Sequence, residues 1–161
     1  MLVSEKSWLE KAAEWIPGVK GYRDKEARRD TDKRLRETMA RAADGVRGAL
    51  EEPKRTLLEG GQLDLLGVAD RIGRKLQKAA DSLRYATYGY SGFFDQVKVR
   101  EEELDQLYQY DQRLMDEVRG LDGTVRAVSG AADVGAALKG LEAAVDALDR
   151  AIEGRKDLFN T

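Results

Sequence analysis

Leu83-Arg-Tyr-Ala-Thr-Tyr-Gly-Tyr-Ser-Gly-Phe-Phe-Asp95 is the stretch whose reading decides the fold. Before it, Leu65, Ala69, Ile72, Leu76, Ala79, Leu83 and Ala86 recur at alternating steps of four and three. After it, Leu104, Leu107, Asp111, Leu114, Val118, Leu121, Val125 and Val128 do the same. That spacing gathers side chains on one stripe of a helix. Gly89 and Gly92 are poor helix residues, so the stretch reads as a turn between two long helices. Yet Tyr90, Phe93, Val97 and Arg100 keep the heptad count across it. The alternative is therefore one continuous helix over about 62–128, kinked at the glycines, and about 100 Å long.

Outward from this stretch the helical period persists. Leu35, Met39, Ala42, Val46 and Ala49 form a seam within a helix expected over 24–52, which Pro53 interrupts. Gly60-Gly61 marks a loop. Val134, Leu138, Leu141, Val145, Leu148 and Ile152 give a last helix over 133–157, with a frayed end unless Phe159 docks. A short helix over 4–16 carries Trp8, Leu9, Ala12, Trp15 and Ile16 on one face and stops at Pro17-Gly18. No alternating strand pattern of useful length occurs. The expected fold is all-α: an antiparallel four-helix bundle of heptad-patterned helices plus the short N-terminal helix. The alternative is an elongated rod built on the continuous helix. Residues 1–21 form the N-terminal helix and its break, and 22–161 a single bundle domain.

Composition narrows the chemistry. The chain has 161 residues, 28 Lys+Arg against 30 Asp+Glu, and neither His nor Cys. Without Cys there is no disulfide, thiolate nucleophile or Cys metal site. Without His, the commonest general base and metal ligand is missing, and with it any Ser-His-Asp triad or Glu-x-x-His di-iron site. There is no Gly-rich phosphate loop ending in Gly-Lys-Ser/Thr. A net charge of −2 supplies no field that would attract nucleic acid, and no such partner is expected. No apolar run approaches a membrane span, and the N-terminus does not read as a signal peptide. A cytoplasmic location is the expectation. The 36% charged content fits long solvated helices laced with ion pairs. It divides into a net-basic block over 20–41 and a net-acidic segment over 95–122, which suits the two as neighbours.

Three places concentrate the functional signal. Tyr85, Tyr88, Gly89, Tyr90, Gly92, Phe93 and Phe94 form an aromatic-glycine cluster, the composition of an interface; an aromatic plug in the end of a bundle is the structural alternative. Trp8, Leu9, Trp15 and Ile16 form a face for docking a partner or a membrane surface, unless the helix packs on the bundle. Asp111 occupies a seam position and must be paired if buried. Arg84, Arg100 and Tyr hydroxyls are candidate partners. A register-setting polar layer is favoured there over a metal or catalytic carboxylate joined by Glu103 or Asp105.

Two strings carry a resemblance. Ile16-Pro-Gly-Val-Lys-Gly-Tyr-Arg-Asp-Lys-Glu-Ala-Arg-Arg29, followed by Asp32-Lys33, is one; Leu83–Asp95, leading to Glu103-Leu-Asp-Gln-Leu-Tyr108, is the other. Together they resemble an uncharacterised family of small helical bacterial proteins, and the resemblance implies no catalytic roles. The expected function is a non-enzymatic helical interaction or scaffold module that self-associates through 85–94, with a protein partner or a second copy and no cofactor or metal. A peripheral membrane protein using the Trp8/Trp15 helix is one rival. A carboxylate and Tyr site around Asp111, metal-binding or enzymatic, is the other.

Overall fold

The computed structural model describes residues 1–86 and 92–159. The chain is an all-α bundle. Its helices are α1 (Val3–Trp15), α2 (Arg28–Ala49), α3 (Glu51–Glu59), α4 (Leu63–Arg84), the single turn α5 (Gly92–Asp95), α6 (Glu101–Val128) and α7 (Val134–Phe159). Four of them enclose the core: α2 packs against α4 and α6, and α7 packs against α4 and α6. The seams close on one another because each helix carries one apolar stripe and no single helix can hide it from water. Leu35, Met39, Val46, Ile72, Leu76, Leu83, Leu114, Val118, Leu121, Val125, Leu138, Leu141, Val145, Leu148 and Ile152 are all buried.

The rod is not formed. Helix α4 ends at Arg84, and residues 96–100 are not helical. The heptad phase across this region carries no burial with it: Val97 is 77% exposed and Arg100 is also exposed. Folding back lets the seam of α4 be covered by α2 and α7 from the same chain, which an isolated rod would leave half open.

Consecutive helices α2/α4 and α6/α7 are antiparallel, as expected, but the two hairpins meet side by side in parallel. Arg71 pairs with Glu142, Lys75 with Asp146 and Lys78 with Asp149, each 71 residues apart, so α4 and α7 run the same way. Glu142 sits between Arg71 and Lys75, and these cations hold its carboxyl down to about 2. Helices α4 and α6 are thus not close neighbours in the bundle.

Local chemistry sets the other boundaries. Helix α2 starts four residues later than expected because Asp24 accepts from the Glu26 amide and forms a turn first. It ends at Ala49 because Pro53 has no N–H for the Ala49 carbonyl. Pro53 instead lies in the first turn of α3, where amides lack helix partners anyway. Helix α3 closes with a Schellman turn: Gln62 N–H donates to Leu57 O at 2.9 Å and Gly61 N–H to Leu58 O at 3.1 Å. Gly61 takes the left-handed conformation this needs, with φ +70°.

Helix α1 lies along the outside of α6, parallel to it. Ser7 donates to Gln112 at 2.9 Å and Lys11 pairs with Asp116 at 2.8 Å, both 105 residues on, and Glu14 meets Arg119 at 3.0 Å. The acidic side of α6 therefore meets α1 and Arg23, which reaches Glu101, more than it meets the basic charges of α2. The segment 16–27 then turns back across the bundle to α2.

Candidate functional site: a buried charge cluster at one end of the bundle

At the end where α2 begins and α7 ends, the seams change character. Three heptad positions that would hold apolar residues hold Asp32, Asp111 and Arg155, all fully buried. A charge in such a place must be matched and hydrogen-bonded. Arg155 does this from the centre. Its Nε donates to Asp111 Oδ1 at 2.7 Å, its Nη1 to Asp32 Oδ1 at 2.6 Å and its Nη2 to the Tyr22 hydroxyl at 2.9 Å. Tyr22 in turn donates to Asp111 Oδ2 at 2.6 Å. Arg36, one helical turn after Asp32, donates to Asp32 Oδ2 at 2.8 Å. Two arginines thus face two aspartates, and α2, α6, α7 and the 16–27 segment are tied together by one network.

The cluster is roofed by aromatic rings. Trp8 of α1 is fully buried against Tyr22 and Tyr108, with ring centroids 5.5 and 5.3 Å away. Its indole Nε1–H has no hydrogen-bond partner among the described residues. Tyr108 accepts from the Tyr22 amide at 2.7 Å. Gly21 passes so close that a Cβ there would lie 2.7 Å from the Tyr108 hydroxyl, and its φ is +91°. On the far side Phe94 stacks on Phe159 at 5.0 Å, and Arg155 lies over the Phe159 ring.

Burial sets the titration of these groups. It pushes the Tyr22 hydroxyl well up, and the neighbouring Asp111 carboxylate pushes it further. It pushes Tyr108 up to about 12. Both phenols therefore stay protonated at neutral pH, with Tyr22 donating to Asp111 and Tyr108 accepting from the Tyr22 amide. Burial lowers Arg28, whose guanidinium is matched mainly to backbone carbonyls. Arg28 donates to Tyr22 O at 2.7 Å and to Gln96 O.

The arginines of α2 also hold the end of α4 and residues 95–96. Arg36 Nη1 donates to Leu83 O at 2.7 Å, where α4 ends. Arg28 holds Gln96 O, and Arg29 pairs with Asp95 at 2.7 Å. The two strings quoted from the sequence, far apart along the chain, meet at this end. Tyr22 lies 6.3 Å from Phe94, and Arg28 stacks near Phe93.

The expected sites are distributed as follows. Asp111 is a buried polar layer, paired with Arg155 and Tyr22; Arg84 pairs instead with Asp44, and Arg100 with Glu103. Of the aromatic-glycine cluster, Tyr85 is 72% exposed, Gly92 is exposed, and Phe93 is half-buried. Phe94 is buried in the core, which removes it from an interface, because it fills the space between Tyr22 and Phe159. Tyr88, Gly89 and Tyr90 lie outside the described residues. Trp8 and Ile16 are core residues and Leu9 and Trp15 are half-buried, so the face expected to dock a partner or membrane is used internally. Glu103 and Asp105 do not join Asp111: Glu103 faces Arg100, and Asp105 accepts from Ser4.

Sequence reading missed Asp32, Arg36, Arg28 and Arg155 as core residues. The signal was present in the phase. Arg155 is three residues after Ile152, Asp32 three before Leu35 and Arg28 four before that, so all three continue the seams. Among the described residues no group of three acidic side chains could hold a metal ion. No helix among them is long and apolar enough to cross a membrane. No family model, curated protein or solved structure matches the chain.

Proposed function

We propose that this chain is a non-enzymatic helical interaction module, working in the cytoplasm, whose contact surface is the segment around 85–97 and whose partner is a second copy. The observation that carries it is the grip of Arg28, Arg29 and Arg36 on Gln96, Asp95 and Leu83. The end of α4 and residues 95–96 are thus held by the buried guanidinium groups of Arg36 and Arg28, with the exposed Arg29 paired to Asp95, and residues fixed on a rigid base in this way suit a recognition surface. Tyr85 and Val97 flank it in solvent, and large exposed apolar side chains are otherwise few. Beside it a groove of about 340 Å³ is floored by Phe93, Leu107 and Phe159 and edged by Arg100, Glu103 and Asp157. Apolar floor with a charged rim is the anatomy of a protein contact. The charge cluster beneath supports a positioning role, since each Asp111 oxygen is already engaged by Arg155 or Tyr22.

Light scattering across a range of concentrations tests this. The chain should associate as concentration rises, and Tyr85→Ser with Val97→Ser should shift it toward monomer with helix content unchanged. A monomer at every concentration would overturn the reading.

A further inference from the structure

We infer that α1 is an exchangeable arm, and that its dock along α6 accepts α1 of a second copy of this chain. This interaction surface is separate from the 85–97 segment and does not depend on it.

Three observations lead here. First, α1 makes its main helix contact with α6 alone, and does so in a single register. Ser4 meets Asp105, Ser7 meets Gln112, Lys11 meets Asp116 and Glu14 meets Arg119. The dock therefore has a defined chemistry: an acid, an amide, an acid and a cation in order along α6, beside an aromatic slot made by Tyr22 and Tyr108. The segment that satisfies every position is α1 itself, and any second copy carries it.

Second, the point where the arm could swing free is confined. Residues 21–23 are held to their own chain. Thr31 bonds Gly21 O at 3.0 Å, Tyr22 N bonds the Tyr108 hydroxyl, and Arg28 bonds Tyr22 O. Between this anchor and α1 lies only the turn 16–20. It is held by the buried Ile16 side chain, by Val19 N to Ile16 O at 3.2 Å and by the exposed contact of Arg34 with Pro17 O at 2.9 Å. Opening that turn moves α1 as a unit, lifting Trp8 from Tyr22 and Tyr108, and leaves the hydrogen bonds of residues 21–23 and of the charge cluster in place. Ties that cross the hinge include the Glu5–Arg23 pair at 3.0 Å and the packing of Trp8 on Tyr22, and the α1 of a second copy would restore both.

Third, the seat of the arm is incomplete. Among the described residues Trp8 Nε1–H is buried without a hydrogen-bond partner. An unmatched buried donor weakens the docked state. An exchanged arm makes the same contacts as a closed one, so the balance is set by the turn and by protein concentration. That is the general reason domain swapping is a low-cost route to a dimer.

The absence of cysteine makes the test direct. Ser7→Cys and Gln112→Cys are made in separate chains, mixed at high concentration and treated with a short bismaleimide. Exchange predicts a covalent heterodimer linked between positions 7 and 112. It should form well above the level seen when Ser7→Cys is mixed with Lys139→Cys, which places the thiol on exposed α7. The double variant Ser7→Cys/Gln112→Cys should give the same link within one chain when dilute. Heterodimer no more abundant than with the Lys139→Cys control, while the dilute double variant still cross-links, would overturn the inference. Should Ser7→Cys or Gln112→Cys disturb folding, the pair Lys11→Cys and Asp116→Cys repeats the test at an exposed position. Adding Tyr85→Ser and Val97→Ser to both chains keeps the outcome separate from association through the 85–97 segment: exchange should persist.

Discussion

Arg155 answers for two carboxylates at once, and its removal is felt at both. In Arg155→Met, Asp111 keeps only the Tyr22 hydroxyl and Asp32 only Arg36, in a site without water access. Breaking a buried pair of this kind costs about 3–5 kcal/mol, which a urea denaturation midpoint reads directly. Replacing Arg155, Asp111 and Asp32 together by apolar residues of similar size should cost less than the three single changes summed, since no uncompensated charge remains. Gly154 makes a second residue-scale case. A Cβ there would fall on the Tyr110 hydroxyl, which donates to Ala151 O at 2.6 Å. Gly154→Ala should therefore destabilise the chain despite the better helix propensity of alanine. In a Tyr110→Phe background the same change should shrink to near neutral, and thermal melts of the four proteins close the cycle. Asp111 was legible as a buried polar position because it interrupts a run of leucines. Arg155 and Asp32 were not read that way, because each stands at the end of a seam, where a charged residue looks like the helix reaching solvent.

At the scale of elements, glycines divide by what surrounds them. Gly48, Gly123 and Gly140 lie in helices with open space where a Cβ would go. Alanine at each should stabilise by about 0.5–1 kcal/mol through helix propensity. Gly61→Ala should instead destabilise by about 1 kcal/mol, since the Schellman turn holds it at φ +70°. Calorimetric melting temperatures moving in opposite directions would check both. Helix positions were well read from spacing, and the seams of α4, α6 and α7 fell where the count placed them. The boundaries at Arg28 and Leu50 moved because turn chemistry at Asp24 and the missing amide of Pro53 override periodicity, and α6 begins at Glu101 after the non-helical residues 96–100.

For the whole molecule, the buried phenols set an alkaline limit. Tyr108 moves from its ordinary value near 10.0 up to about 12, and Tyr22 rises as well. Between pH 10 and 12 the unfolded chain gives up protons that the folded chain retains. Stability is therefore complete below pH 10 and falls as pH rises through that window. Helical circular dichroism should fall there in step with the rise of phenolate absorbance, and Tyr108→Phe should flatten the dependence. Phenolate appearing ahead of any loss of helix would show these hydroxyls to be open to water.

The sequence by itself determined that this chain is all-α, where the apolar stripes of its long helices lie, and which chemistries it cannot perform for lack of His and Cys. Those follow from local spacing and from residue identity, which no partner in space can alter. Tertiary structure alone decided that the stripes close into a bundle instead of a rod, that two hairpins meet in parallel, and that α1 buries Trp8 in the molecule's own core. It also decided that charges from α2, α6 and α7 converge on one arginine at the end where the 85–97 segment is held. A seam position says only that a residue faces inward. Whether an inward charge is tolerated depends on what three other helices bring to the same level, and sequence spacing within one helix carries no information about that.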